Sequence, residues 1–262
     1  MSEISHYEPG TFCWPELGTN DPEAAKEFYT GLFGWTVNDV PAGPAGTYTM
    51  LQLSGKDVGA LYGLNKDQRS QGVPPHWLSY ISVASVDETA RKAKELTGKV
   101  FAEPFDVFDV GRMAIIEDPT GATFALWQPR KHIGARLVNQ QGALCWNELA
   151  TSNTEVAGKF YTQLFGWTTK VMPGASGPYT EFMRGQTPAG GMLQVTKEWG
   201  NTPSHWMVYF AVADCDDRVT KAKQLGGGVK VPPTDIPTVG RFSVLQDPQG
   251  AVFSIIKLTS PA

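Results

Sequence analysis

The sequence predicts an α+β chain in which one domain, itself two β-α-β-β-β units, is written twice. Three alignments carry this. "CWPELGTNDPEAAKEFYTGLFGW" (13–35) matches "CWNELATSNTEVAGKFYTQLFGW" (145–167) without a gap, 14 of 23 positions being identical. "PHWLSYISV" (75–83) matches "SHWMVYFAV" (204–212), and "DVGRMAIIEDPTGATFALW" (109–127) matches "TVGRFSVLQDPQGAVFSII" (238–256). Similarity at so long a period means two copies of a domain, not a solenoid of short repeats. The expected boundaries are a first domain at 1–130, a linker at 131–141 and a second domain at 142–262.

Taken in order, "TFCWPELGT" reads as a strand, with Phe12, Trp14 and Glu16 on one face by simple alternation. Asp21 is an N-cap residue followed by Pro22 at the first helical position. The helix then sets Ala24, Ala25, Phe28, Tyr29, Leu32 and Phe33 along one side, and Gly34 supplies a left-handed C-cap. The repeated "FYTxLFGW" is thus read as glue between helix and sheet. "WTVNDV", "TYTMLQLSG" and "DVGALYGL" give three strands, and "WLSYISVAS" opens the second unit. A helix opened by Asp87 carries Ala90, Ala93, Lys94 and Leu96 and closes near Gly98. The strands "VFAEPFDV", "GRMAIIED" and "ATFALWQ" complete the copy. "DPTG" and "DPQG" place Asp, Pro and Gly where a type I turn wants them, so they are read as hairpin turns rather than a site.

Composition narrows the function classes. The chain has 262 residues and a formal net charge of −4, with no basic run beyond "PRKH". A phosphate-binding surface needs a basic patch, so nucleic acid is not an expected partner. "MSEISHYEPG" lacks the basic and apolar blocks of a signal peptide, and no window approaches the length of a membrane span. Cys13, Cys145 and Cys215 form no close pair, which reads as free thiols in a reducing cytoplasm. G-x-G-x-x-G, P-loop, G-x-S-x-G and H-E-x-x-H motifs are all missing.

The combination W-x-E-L-x-T, FY-x-x-LFGW, HW, GR and DP-x-G, present once per half, resembles the vicinal oxygen chelate superfamily. That superfamily includes glyoxalase I, bleomycin-resistance proteins and extradiol dioxygenases. The pattern is most similar to tandem glyoxalase-like proteins of bacteria, mycobacteria and other actinobacteria among them. The resemblance implies paired βαβββ modules that curl a mixed sheet around a cavity. Single-domain relatives pair two chains, so here the second copy can supply the partner: a monomer is expected, a homodimer possible.

The resemblance also implies a divalent metal held by four side chains from the first, fourth, fifth and eighth strands. Alignment on the helices and the DP-x-G turn puts those positions at Phe12, Ala60, Leu78 and Ala125, and at Leu144, Gly191, Met207 and Ser254. Only Ser254 offers an oxygen, and neutral serine is a poor ligand. A slip of two residues would bring in Glu16 with His76, and Glu148 with His205, still only two ligands per domain. No metal and no other cofactor is therefore expected.

Alternation from these positions puts Trp14 and Glu16, His76, Leu78 and Tyr80, and Ala125 and Trp127 on the inner face. Their counterparts are Trp146, Glu148, His205, Met207, Tyr209, Ser254 and Ile256. An apolar, aromatic lining with a few polar groups suits a small organic ligand. Glu16 and Glu148 are the candidate catalytic residues, as general base or hydrogen-bond anchor. The alternative reading is a structural ion pair of Glu16 with Arg112 or His76, and of Glu148 with Arg241 or His205. Arg112 and Arg241 could instead clamp a ligand's carboxylate or phosphate. Trp77 and Trp206, beside the histidines, either stack on a planar ligand or pack in the core. The sequence thus leaves three functions: a metal-independent small-molecule binder, a glyoxalase-type lyase or isomerase acting on a reactive aldehyde such as methylglyoxal, or a protein-interaction module with vestigial cavities.

Overall fold

The computed structural model describes residues 3–43, 46–174 and 177–259. The first half runs β1 (Thr11–Thr19), α1 (Pro22–Phe33), β2 (Thr36–Pro41), β3 (Thr47–Leu53), β4 (Lys56–Gly63) and α2 (Lys66–Ser70). It continues with β5 (His76–Ser82), α3 (Val86–Glu95), β6 (Lys99–Val107), β7 (Gly111–Glu117) and β8 (Thr123–Pro129). The second half has β9 (Leu144–Thr151), α4 (Thr154–Phe165), β10 (Thr168–Gly174), β11 (Gly177–Arg184) and β12 (Thr187–Gln194). After a 3₁₀ turn at Lys197–Trp199 come β13 (His205–Ala211), α5 (Cys215–Gln224), β14 (Gly228–Ile236), β15 (Gly240–Gln246) and β16 (Val252–Leu258). Among these described residues no helix is long and apolar enough to cross a membrane. The loops "PAGPAG" and "PGASGP", which bear on the shape of any cavity, fall partly outside the described residues.

Each half builds one eight-stranded mixed sheet, ordered β2-β3-β4-β1-β5-β8-β7-β6 and β10-β11-β12-β9-β13-β16-β15-β14. Two βαβββ units, β1–β4 and β5–β8, join where β1 runs antiparallel to β5, while β4 and β8 lie parallel to their own first strands. The sheet curves into a cup. The helices lie on the convex side, because their apolar stripes can be buried nowhere else.

The starts and stops of α1 and α4 follow from their ends. Asp21 and Asn153 each accept a backbone N–H from the third residue on, at 3.1 Å. Gly34 and Gly166 sit at φ 73° and 71°, a region costly for any side chain, and end the helices. Helix α3 starts differently from expectation: Ser85, not Asp87, is the N-cap, its hydroxyl accepting from Glu88 N–H. Asp87 is left free to pair elsewhere. The short helix α2 is absent from the sequence reading, although "NKDQ" is a reciprocal capping box, with Asn65 bonding Gln68 N–H and Gln68 bonding Asn65 N–H.

The convex faces of the two sheets are pressed together, with α1 and α4 wedged between them. One buried cluster combines Phe28, Tyr29, Leu32 and Trp35 of the first half with Phe210, Leu245, Phe253 and Ile255 of the second. The other combines Ile81, Ile116 and Phe124 with Phe160, Tyr161, Leu164 and Trp206. Each core is therefore shared. Gly98 and Gly227 permit this closeness: a Cβ there would come within 3.0 Å of Phe160 and 2.9 Å of Phe28 respectively. Ser79 Oγ donates to Asn147 Oδ1 at 2.6 Å across the seam.

Candidate functional site

A β-bulge decides what the cups contain. In β1 the register slips between Phe12 and Trp14, so Phe12 lies opposite Ile81 while Trp14 lies opposite Tyr80 and Glu16 opposite Leu78. The extra residue breaks the alternation, and Phe12 turns to the convex core, against Trp206 (ring centroids 4.8 Å) and Trp167. Leu144 does the same in the second half, joining the cluster around Phe210. The expectation that Phe12 and Leu144 face the cavity is corrected on this point. Trp14 and Glu16 do face it, packed with Ala60, Leu78, Tyr80, Met113, Ala125 and Trp127.

At the centre of the first cup sits a carboxylate held by phenols. Glu16, 8% exposed, accepts from Tyr48 Oη at 2.6 Å and from Tyr80 Oη at 2.8 Å, and Tyr48 in turn accepts from Trp14 Nε1 at 3.1 Å. The second cup repeats the plan. Glu148 accepts from Tyr209 Oη at 2.7 Å, and Trp146 Nε1 donates to Tyr179 Oη at 2.9 Å beside it. Burial pushes both carboxyls above their ordinary value, partly offset by the tyrosine hydroxyls that stabilise the anion. The tyrosines move up as well, through burial first and the neighbouring carboxylate second.

Neither expected ion pair forms. His76 and His205 lie one residue pair further along the same face: Gly18, not Glu16, is opposite His76. Their Nδ1 atoms bond the carbonyls of Pro74 (2.9 Å) and Pro203 (2.8 Å), and burial lowers both imidazoles. Arg112 is turned away, bidentate on Asp87 at 2.8 Å and bonded to Asp106 at 2.9 Å. Arg241 makes the same bonds to Asp216 and Asp235. These arginines fasten the β6–β7 and β14–β15 hairpins to the helices α3 and α5. Trp77 and Trp206 lie in the convex core, each donating Nε1 to a tyrosine hydroxyl, Tyr29 or Tyr161.

The cups do not fit a divalent metal. Among the described residues no three His, Cys, Asp or Glu side chains converge. In each cup one carboxylate is surrounded by Ala60, Leu78 and Ala125, or by Gly191, Met207 and Ser254, and none of these is a strong metal ligand. What the arrangement offers is a buried acceptor in an aromatic wall. A separate hollow of about 350 Å³, bounded by α4 and Met192, lies on the opposite face of the sheet from Glu148 and gathers no such cluster. Tyr48 and Tyr179 were missed by sequence reasoning. Their signal was alternation in "TYTML" and "PYTEF", which puts them on the face of Glu16 and Glu148 once the strand order is known.

A pH dependence follows. A carboxyl whose folded pKa exceeds its unfolded one takes up a proton on folding. Its stabilising contribution is full below the ordinary value of 4.5 and is lost as pH rises through the raised value. Glu16→Gln mimics the neutral acid, so its stability relative to the parent should improve as pH rises above 4.5 and level off once the raised value is passed. Denaturant midpoints across that range check this; a flat or opposite trend contradicts it.

Comparison with known proteins extends the picture. The sequence profile of the Glyoxalase/Bleomycin resistance protein/Dioxygenase superfamily matches residues 4–126 and again 143–255. The chain is 44% identical over 259 residues to "Putative glyoxylase CFP32" of Mycobacterium tuberculosis, covering 98% of each chain. It is 36% identical over 272 residues to "Anthracycline biosynthesis protein DnrV" of Streptomyces peucetius, covering 97% of this chain and 96% of that one. The Mn(II)-bound glyoxalase of Novosphingobium aromaticivorans superposes with a TM-score of 0.64 at 16% identity, over 97% of this chain and 86% of that one, a likeness of fold alone.

Proposed function

The chain belongs to the Glyoxalase/Bleomycin resistance protein/Dioxygenase superfamily, and from that premise we propose that it binds a small organic molecule in its cup without a metal. One observation carries this reading: where a metalloenzyme would need several ligating side chains, a Glu–Tyr–Tyr cluster stands in an aromatic wall. Such a cluster recognises a ligand through hydrogen bonds, with the carboxylate accepting and the tyrosines fixing its position, while an indole such as Trp146 supplies planar contact area. The name of DnrV agrees with an aromatic ligand. Three free thiols support a reducing cytoplasm, and the shared cores support a monomer, which a solution mass of twice the chain would contradict.

The test is native mass spectrometry of gently purified protein, before and after a strong chelator. A retained organic adduct that survives chelation is expected. An adduct lost with a divalent ion sinks the reading. A second reading, lyase or isomerase action on a reactive aldehyde, is favoured by the partly buried Glu148, whose carboxyl is raised by desolvation and so suited to take a proton from carbon next to a carbonyl. Under it, turnover of methylglyoxal is expected without added metal and is abolished by Glu148→Gln.

A further inference from the structure

The two cups, alike in plan, differ in what covers them. In the first, the segment after β8 folds back as a strap. His132 O accepts from Trp127 Nε1 at 2.9 Å, and its ring lies edge-on to Trp14 with centroids 4.7 Å apart. Ala135 N–H bonds Cys13 O at 2.8 Å, Tyr7 Oη bonds Ala135 O at 2.7 Å, and Arg136 N–H bonds Asp57 O at 2.7 Å. Trp14, Glu16, Leu78, Tyr80, Met113 and Trp127 are all buried beneath it. Among the described residues, these side chains are closed off from solvent.

The equivalent residues of the second half, Trp146, Glu148, Met207 and Phe242, are half-exposed, and among the described residues they join no comparable buried cluster. Ser254 replaces Ala125 on the cup floor. Its fully buried hydroxyl lies next to Tyr209 without a well-aligned partner.

Charge then selects the ligand. Glu181, where the first half has Met50, is opposite Gly191 on the strand beside Glu148, so two carboxylates face this cup. Lys170, opposite Glu181, is drawn to it at 3.6 Å, while Arg241 and Lys257 pair with Asp216, Asp235 and Asp214. An anion entering would meet like charge in a partly desolvated site whose Lys170 is already engaged by Glu181.

Resting on the binding reading above, we propose that the second cup is the only one that admits ligand. Its ligand class is an uncharged or cationic aromatic molecule that donates a hydrogen bond to Glu148, and anions are rejected. Isothermal titration of the full chain with 2-naphthol and 2-naphthoate at pH 7 tests this. Expected are one 2-naphthol site per chain, no 2-naphthoate binding, and affinity at least about tenfold weaker in Glu148→Gln, the scale of losing a charge-assisted hydrogen bond. Met207→Trp, which fills the half-exposed cup, should abolish binding. If that variant misfolds, the near-isosteric Glu148→Gln still decides. Two sites per chain, equal affinity for 2-naphthoate, or indifference to Glu148→Gln overturns the inference and leaves cup binding standing. Failure of both probes to bind overturns both.

Discussion

Asp118→Ala and Asp247→Ala are each expected to destabilise the protein by about 3–5 kcal/mol, the range for leaving several buried partners of a carboxylate unsatisfied. The DP-x-G aspartates are more than turn residues. Asp118 Oδ1 accepts from Thr120 N–H (2.7 Å), Thr120 Oγ1 (2.7 Å) and Ala122 N–H (3.1 Å), which pins its hairpin. Its other oxygen accepts from Tyr161 Oη at 2.9 Å, from the opposite half of the chain, and that hydroxyl accepts from Trp206 Nε1 at 2.8 Å. Asp247 holds Gln249, Gly250 and Ala251 N–H, and Tyr29 Oη at 3.0 Å; Trp77 completes the chain at 2.9 Å. Alanine would orphan backbone donors and a fully buried phenol at once. Asp247→Asn, which keeps one acceptor oxygen, should cost markedly less. Urea midpoints read this directly, provided the slope is unchanged. A loss below about 1 kcal/mol for both alanine variants would mean that water replaces the carboxylate.

Those contacts explain why "FYTxLFGW" is written twice. The motif does glue helix to sheet, yet the sheet it reaches is also that of the other copy. Tyr29 meets Asp247 across 218 positions, and no periodicity within a window can show a partner so distant. Local signals did well where local chemistry decides: the caps at Asp21 and Gly34 and the alternating strands lie where propensity and pattern place them. They failed where one inserted residue changes parity. Counting inward from Phe12 gives Trp14 and Glu16 the right face but Phe12 the wrong one, because the bulge lies between them. The arginines illustrate a third limit. A guanidinium after a glycine could equally serve a ligand, and only the position of Asp87, freed from capping by Ser85, shows that it is already engaged. The strap over the first cup was legible only as a polar linker; its burial depends on Trp14 and Trp127 standing together on neighbouring parts of the sheet.

Fragments 1–130 and 142–262, prepared separately, should not fold as monomers. Each helix wedge loses its opposite wall: Ala25, Phe28, Tyr29 and Leu32, at most 2% exposed, lose Phe210, Leu245 and Phe253, while Phe160, Tyr161 and Leu164 lose Ile81, Ile116 and Phe124. Re-exposing a single large apolar side chain forfeits about 1.5–3 kcal/mol, and a domain of this size has about 5–15 kcal/mol in all. Polar ties across the seam go as well, namely Trp167 Nε1 to Gly10 O at 3.0 Å and Arg218 Nη1 to Leu32 O. Because the copies are so alike, each fragment carries a version of the wall it has lost. Self-pairing into a homodimer is the one folded state expected of either alone, and mixing the two should restore a one-to-one complex. Sedimentation with far-UV circular dichroism distinguishes the outcomes. A cooperatively folded monomer from either fragment would show that one sheet and its own helices suffice, and that the interlocked cores add stability without being required for folding.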